Sequence, residues 1–319
     1  MIVPLPKKTF IEQRWPVVGK VMRIRRFKKG VINKTYKISA SNGAYVLRIY
    51  TSKNSKEVAS EVALLEHCEG LPVPRIVKGK DTSISLLNSS PSVMYHFIKG
   101  EQARKIDREQ RETVGAFLAR FHKRGTHFRW GSGRAPLYSF TEAKRFLFEK
   151  AAKQRFSGAL LDRFFSIARD VRRFTPSGRI PCGPMHTDVK QENVLFLGRK
   201  LTGVIDFDNA YVGPFLLDLA KSMAWFGIDG NRFSMKNARD VYNGYASSRK
   251  LTTLEYKELY RMMKFAFASH LYVDFFMKAT GKIPDSYFNF LMADFYNSYS
   301  DFSHLSEQKF YVCLSQKND

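Results

Sequence analysis

Polar and apolar positions alternate through the first third of the chain, and the period then lengthens. "MRIRRFKKG" runs to Gly30 and "INKTYKIS" follows directly, which predicts a hairpin across a glycine turn. "AYVLRIYT" is a third strand, dense in β-branched and aromatic residues. In "SKEVASEVALLEHCEG", Val58, Val62 and Leu65 return on one helical face. That segment opens on a serine cap, Ser55, and stops at Gly70. "SISLLNS" and "SVMYHFI" add two more strands. The order β-β-β-α-β-β describes a small antiparallel lobe with one helix.

After "IKGE" the helical period takes over. "DREQRETVGAFLARFHKRG" places Val114, Leu118 and Phe121 on one side of a long helix, with His122 as a packing or capping residue. Further helices are expected over roughly 140–154 and 158–174. A strand pair surrounds "NVLFLGRKLTGVIDF", and nearly everything after Phe215 reads as helix. His270 and Asp274 share a helix face and are taken as a mutually satisfied buried pair, with the lining of a pocket as the alternative. The expected fold is α+β with two lobes: a β-rich one over 1–97, a hinge near Phe97–Gly100, and a helical one over 98–319.

Composition narrows the class without changing that picture. A chain of 319 residues with 44% hydrophobic content can bury an ordinary core. Cys68, Cys182 and Cys313 are odd in number and far apart, which favours a reducing, cytoplasmic setting over a disulfide framework. "MIVPLPKKTFIEQRW" lacks a signal-peptide core, and "FAFASHLYVDFFM" is too short and too polar to span a bilayer. The net charge of +24 would attract acidic partners, but the basic residues are dispersed and form no long tail. No zinc spacing, helix-turn-helix signal or RNA-binding aromatic motif accompanies them, so nucleic acid is not the expected partner.

The candidate chemistry sits in "MHTDVKQENVLF". "NVLF" and "GVIDF" can pair across "LGRKL", bringing Asn193 at one strand's start near Asp206 at the other's end. An amide oxygen and a carboxylate are hard ligands suited to Mg²⁺. Asp188, just before them, can accept a hydrogen bond from an attacking hydroxyl. Lys190 can offer an ammonium to a transferring phosphoryl group. Taken singly, Asp188 and Asn193 also suit ordinary turns and caps.

The ordered set H-x-D-x-K-x-x-N followed by "IDFD" and "DLA" resembles the protein-kinase-like superfamily. It most resembles the branch of aminoglycoside phosphotransferases, choline kinases and type II homoserine kinases. The resemblance implies ATP between two lobes, Mg²⁺ on Asn193 and Asp206, Asp188 as catalytic base, Lys190 on the γ-phosphate, and bracing by His186 and Asp218. It also implies a hairpin at Gly30 covering the phosphates, and backbone groups near Met94–His96 receiving adenine. Where the family usually has a lysine on its phosphate-binding strand, "YVLRIY" has Arg48, with Lys37 as a possible substitute. Glu61 is the expected partner of Arg48, and Glu57 the alternative. Asp208 could assist a second metal or face solvent.

Two rival readings have features against them. A protein kinase would carry Arg where Thr187 stands, Asp-Phe-Gly in place of "IDFD", and a longer path from Asp206 to Asp218 with Ala-Pro-Glu in it. A non-catalytic kinase-fold binder would not need Asp188, Asn193 and Asp206 together. The expected activity is therefore ATP- and Mg²⁺-dependent phosphorylation of a small-molecule hydroxyl. Homoserine leads the acceptors. An aminoglycoside would call for a pocket dense in carboxylates, and choline for an aromatic cage.

Overall fold

The computed structural model describes residues 5–27, 33–103, 105–130, 138–176 and 180–316. Gly30 lies outside them. The chain divides into two compact units, the first made of Met1–Gln102, His127–Arg134 and Val194–Asp208.

In the first unit, α1 (Lys8–Arg14) precedes β1 (Val21–Arg26), β2 (Lys34–Ala40) and β3 (Gly43–Ile49). Then come α2 (Ser55–His67), β4 (Ile84–Leu87) and β5 (Ser90–His96). The five strands form one antiparallel sheet in the order β1-β2-β3-β5-β4. Period-two alternation sends Tyr36, Ile38 and Ala40 of β2, and Tyr45, Leu47 and Ile49 of β3, into one core. Ile11, from a short helix that the strand pattern does not foreshadow, and Trp15, which caps that helix, close that core.

The cap of α2 is Asn54, one residue before the expected Ser55. Its side chain accepts from the Glu57 N–H, and the Glu57 carboxylate accepts from the Asn54 N–H, both at 3.0 Å. This reciprocal pair satisfies two orphan donors of the first turn and commits Glu57 there.

A single boundary after Phe97 does not describe this unit. β6 (Glu101–Gln102) pairs with β8 (Val194–Leu197), which pairs with β9 (Lys200–Val204). The Val204 N–H also donates to Pro72 O at 2.7 Å. The "NVLF…GVIDF" hairpin therefore belongs to the first unit, and carries Asp206 and Asp208 into it.

The second unit is mainly helical. It contains α3 (Arg108–Gly125), α4 (Glu142–Arg155) and α5 (Gly158–Phe174), then β7 (Cys182–Met185) paired with β10 (Tyr211–Pro214). α6 (Phe215–Phe226), α7 (Met235–Ser248), α8 (Thr253–Ala279), α9 (Asp285–Phe290), α10 (Tyr296–His304) and α11 (Glu307–Ser315) follow. Every residue of α6 is buried, including Asp218 and Lys221. Buried charges need partners, so α6 is where chemistry is expected. No helix of the described residues is long and apolar enough to cross a membrane.

α3 and α7 cross at two glycines. A Cβ on Gly115 would stand 2.0 Å from Val241 O, and one on Gly244 1.9 Å from Glu112 O. Both neighbours are backbone, which cannot swing aside. Gly244→Ala is expected to push the helices apart and cost about 1–3 kcal/mol, the range for overpacking. A urea titration reads this as a lower midpoint, and an unchanged midpoint would show that the crossing tolerates a methyl.

Candidate active site

The first unit gathers five charged side chains. Arg48 leaves β3 opposite the inward-facing Leu47 and Ile49, and its Nη2 donates to Asp206 Oδ1 at 2.9 Å and to Asp208. Lys53 Nζ lies 2.5 Å from Glu61 Oε2 and 3.3 Å from Asp208 Oδ1. Tyr50 donates to Glu61 Oε1 at 2.7 Å, and its oxygen lies 2.7 Å from that of Tyr95. Asn33 donates to Asp208 and accepts from the Thr51 N–H at 3.2 Å. Burial opposes the charge on Arg48, but Asp206 and Asp208 outweigh it and hold the guanidinium above its ordinary pKa. Burial, then Glu61, pushes the Tyr50 hydroxyl up, so it stays a donor.

This pairing corrects one expectation. Glu61 takes Lys53 and Tyr50, while Arg48 takes the two aspartates. Lys53, just ahead of α2, occupies the carboxylate that the strand cation was expected to hold. Lys37 is not in the cluster; its ammonium sits over the Phe97 ring, 4.0 Å from the centroid. Asp208, whose role the sequence leaves open, is the acceptor shared by Asn33, Arg48 and Lys53.

At Met94 and His96 one backbone group each is taken within the first unit. The Met94 carbonyl accepts from the Val77 N–H at 2.8 Å, and the His96 N–H donates to Arg75 O at 2.9 Å. The Met94 carbonyl and the His96 N–H thus face the Arg75–Val77 segment and are engaged there.

The second unit holds the loop from His186 to Asn193. Asp218, in the first turn of α6, accepts from the His186 N–H at 2.8 Å and the Thr187 N–H at 2.7 Å. His122 Nε2 lies 3.0 Å from the same carboxylate, and its Nδ1 lies 2.8 Å from the Tyr245 hydroxyl. Burial alone would raise the pKa of Asp218, but the bonds from His122 and the loop hold it below the usual carboxylate range. The sequence marked His122 only as a packing or capping residue. Its place in "FLARFH", 96 residues ahead of Asp218, carried no local sign of that contact.

The loop then presents its polar groups. The Asp188 N–H donates to His186 Nδ1 at 3.2 Å. Asn193 Nδ2 donates to Asp188 O at 2.8 Å and to Asp188 Oδ2 at 3.0 Å. Lys190 Nζ lies 3.3 Å from Asp188 Oδ1 and 4.9 Å from the Trp225 ring centroid. Burial pulls the Lys190 ammonium down, but Asp188, Tyr287 and Glu192 outweigh it and leave its pKa above the ordinary value. Both Asp188 oxygens thus have a fixed neighbour, which orients the carboxylate.

Thr187 and Asp206 have φ of 69° and 71°. A side chain rarely takes that left-handed backbone, and such strain persists only where surrounding contacts hold it. It falls here on one residue of the loop and on the proposed metal ligand.

Each unit carries one side chain whose oxygen is of the kind Mg²⁺ takes. The Asn193 amide spends its nitrogen on Asp188, which fixes its oxygen as the remaining ligand atom. The Asp206 side chain is 41% exposed and uses one oxygen on Arg48. Mg²⁺ takes one or two such oxygens and keeps its remaining positions for water and phosphate. Among the described residues no group of three His, Cys, Asp or Glu forms a closed metal cage.

Residues 23–251 match the model of the phosphotransferase enzyme family. The chain belongs to that family. It is 30% identical over 249 residues to a homoserine kinase of Zymomonas mobilis, covering 76% of this chain and 77% of the relative. A Bradyrhizobium diazoefficiens homoserine kinase is 30% identical, covering 75% and 74%. Among solved structures, a spectinomycin phosphotransferase complex with ADP and spectinomycin matches with a TM-score of 0.61 at 12% identity, covering 97% of this chain and 96% of that one. Choline kinase from Cryptosporidium parvum matches at 0.57 and 13%, covering 92% and 88%. The fold is thus protein-kinase-like, an antiparallel sheet unit followed by a helical one. The protein is a phosphotransferase that acts on the hydroxyl of a small molecule.

Proposed function

We propose that this family member is an ATP- and Mg²⁺-dependent homoserine kinase of the cytoplasm. The observation that carries the acceptor is the set of homoserine kinases aligned with three quarters of the chain. The reaction would form a bond between the acceptor oxygen and the γ-phosphorus and break the bond from that phosphorus to the β-phosphate oxygen. The acceptor proton would pass to Asp188, and ADP would leave.

The chain's residues support that division of labour. Asp188, oriented by Asn193 and Lys190, is a carboxylate poised to accept the hydroxyl proton. Lys190 offsets charge on the transferring group. Asn193 and Asp206 would hold Mg²⁺, which when bound neutralises charge on the phosphates. Arg48 and Lys53 would add cations toward the nucleotide phosphates; arginine's fork can grip two phosphate oxygens. His186 and Asp218 position the loop and take no part in bond-making.

An ADP-release screen over homoserine, choline, sugars and aminoglycosides tests the assignment. Homoserine is expected to give the highest kcat/KM. Stronger stimulation by another class would replace the acceptor and keep the reaction type.

A further inference from the structure

Buried polar groups meet beside the Asp188 loop that phosphoryl transfer itself does not use. Lys221 is one turn past Asp218 on α6, and only 2% exposed. Its Nζ lies 3.3 Å from His270 Nδ1 and 3.5 Å from the centroid of the Tyr138 ring. His270 and Asp274 are one turn apart on α8, 7% and 8% exposed. Trp225 stands one turn beyond Lys221 and packs edge-on against His270, with centroids 5.1 Å apart.

The His270–Asp274 contact is not a satisfied pair. His270 Nε2 and Asp274 Oδ2 approach to 3.1 Å, an ion-pair distance. Yet both atoms are buried without a hydrogen-bond partner among the described residues, and so is Trp225 Nε1. Burial, Lys221 and Lys190 together hold the imidazole neutral. The contact has an ion pair's distance without a hydrogen bond's geometry, and a neutral imidazole leaves the Asp274 charge uncompensated there. Three orphaned polar atoms in one place are costly in a native protein and call for a ligand.

The groups bear on the chemistry already described. Asp188 and Asp274 both favour the charge on Lys221, and Lys190 and Lys221 both favour the charge on Asp274. Burial brings Lys221 down to about 7 and Asp274 up to about 7. Burial thus weakens the charged form of both, and a ligand charge of opposite sign would restore each.

Resting on the homoserine-kinase reading, we propose that Lys221, Trp225, His270 and Asp274 form the acceptor-recognition site, matched to a zwitterionic hydroxy-amino acid. Lys221 takes the carboxylate and Asp274 the ammonium. His270 and Trp225 supply the remaining hydrogen bonds, and the hydroxyl points toward Asp188. A polycationic acceptor meets Lys221 and Lys190 as like charges. A quaternary ammonium leaves Lys221 unmatched.

The test compares homoserine with 4-hydroxybutyrate, which lacks the ammonium, and 3-amino-1-propanol, which lacks the carboxylate. The wild-type protein is expected to prefer homoserine over either by at least about 100-fold in kcat/KM, as a site with buried polar groups rejects an analogue that leaves them unpaired. Lys221→Met is expected to raise the homoserine KM by roughly 30-fold or more, the effect of truncating a buried charge partner, with kcat little changed. It is also expected to erase the preference over 3-amino-1-propanol alone. Asp274→Asn is expected to erase the preference over 4-hydroxybutyrate alone. Both variants are checked by thermal melts, so that only folded protein enters the comparison.

Folded variants that keep the wild-type homoserine KM and both preferences would overturn the site. Loss of both preferences together in each variant would overturn the division of roles. Calorimetric titration of homoserine separates this proposal from the reaction reading. Binding that depends on Lys221 and Asp274 without turnover keeps the site and removes the kinase assignment; absence of both binding and turnover removes both.

Discussion

Asp188→Asn lowers homoserine-dependent turnover by about 10²–10⁴-fold, the range for loss of a general base. The substitution is nearly isosteric, and the new amide oxygen can still accept from Asn193 Nδ2, which lies 3.0 Å from the present carboxylate. What disappears is the negative charge and the site for the acceptor proton. Lys190, 3.3 Å away, also loses its main counter-charge. The loss is therefore expected in kcat, with the homoserine KM moving much less. Steady-state ADP release on a variant with wild-type thermal stability reads the split. A turnover within a few-fold of wild type would move the base elsewhere.

Asp218→Ala has the next largest effect, and it acts through the fold. Asp218 is fully buried and accepts from two loop N–H groups and His122. Alanine leaves all three without their acceptor inside the protein. The expected cost is roughly 3–5 kcal/mol, the scale for removing one partner of a buried charged pair. Turnover falls with it, because the Thr187 backbone at φ 69° loses what holds it. The pH dependence has a defined sign. Asp218 has a folded pKa below its ordinary 3.8, so its contribution is complete above that value and is lost as pH falls through the folded one. Wild type and Asp218→Ala should thus differ most near neutrality and converge in acid. Urea midpoints across that range measure it, and a constant difference would assign the stability to packing alone.

The parts of this molecule that local pattern controls were open to reading. Alternation along β2 and β3, and the helical return of Val58, Val62 and Leu65, depend on neighbours close in sequence. The order His186, Asp188, Lys190, Asn193, Asp206, Asp218 led to the family that residues 23–251 match. Choices decided by distant competition were not open. Whether Glu61 meets Arg48 or Lys53 depends on where α2 sits against β3 and on the arrival of Asp208 from a distant hairpin. The hairpin's membership of the first unit depends on two residues, Glu101 and Gln102, too few to show a strand period. Met94 and His96 look like open backbone until the Arg75–Val77 segment is laid beside them.

Lys221 is the most instructive miss. In "LLDLAKSMAWF" a lysine reads as a solvated position, yet the helix is buried all round. The available signal was that scarcity itself: two charged residues in an otherwise apolar helix, three apart and so facing nearly the same way. His270 and Asp274 gave the matching signal on α8, but only the coordinates show that their approach leaves both atoms unsatisfied.

The central claim is transfer of a phosphoryl group to a small-molecule hydroxyl, with homoserine as the acceptor. Phosphorus NMR of the wild-type protein with ATP, Mg²⁺ and homoserine follows that transfer directly. The expected result is a new phosphomonoester signal coupled to methylene protons, growing in step with ADP and slowed by about 10²–10⁴-fold with Asp188→Asn. ADP accompanied only by inorganic phosphate, or no change in ATP at all, would contradict it.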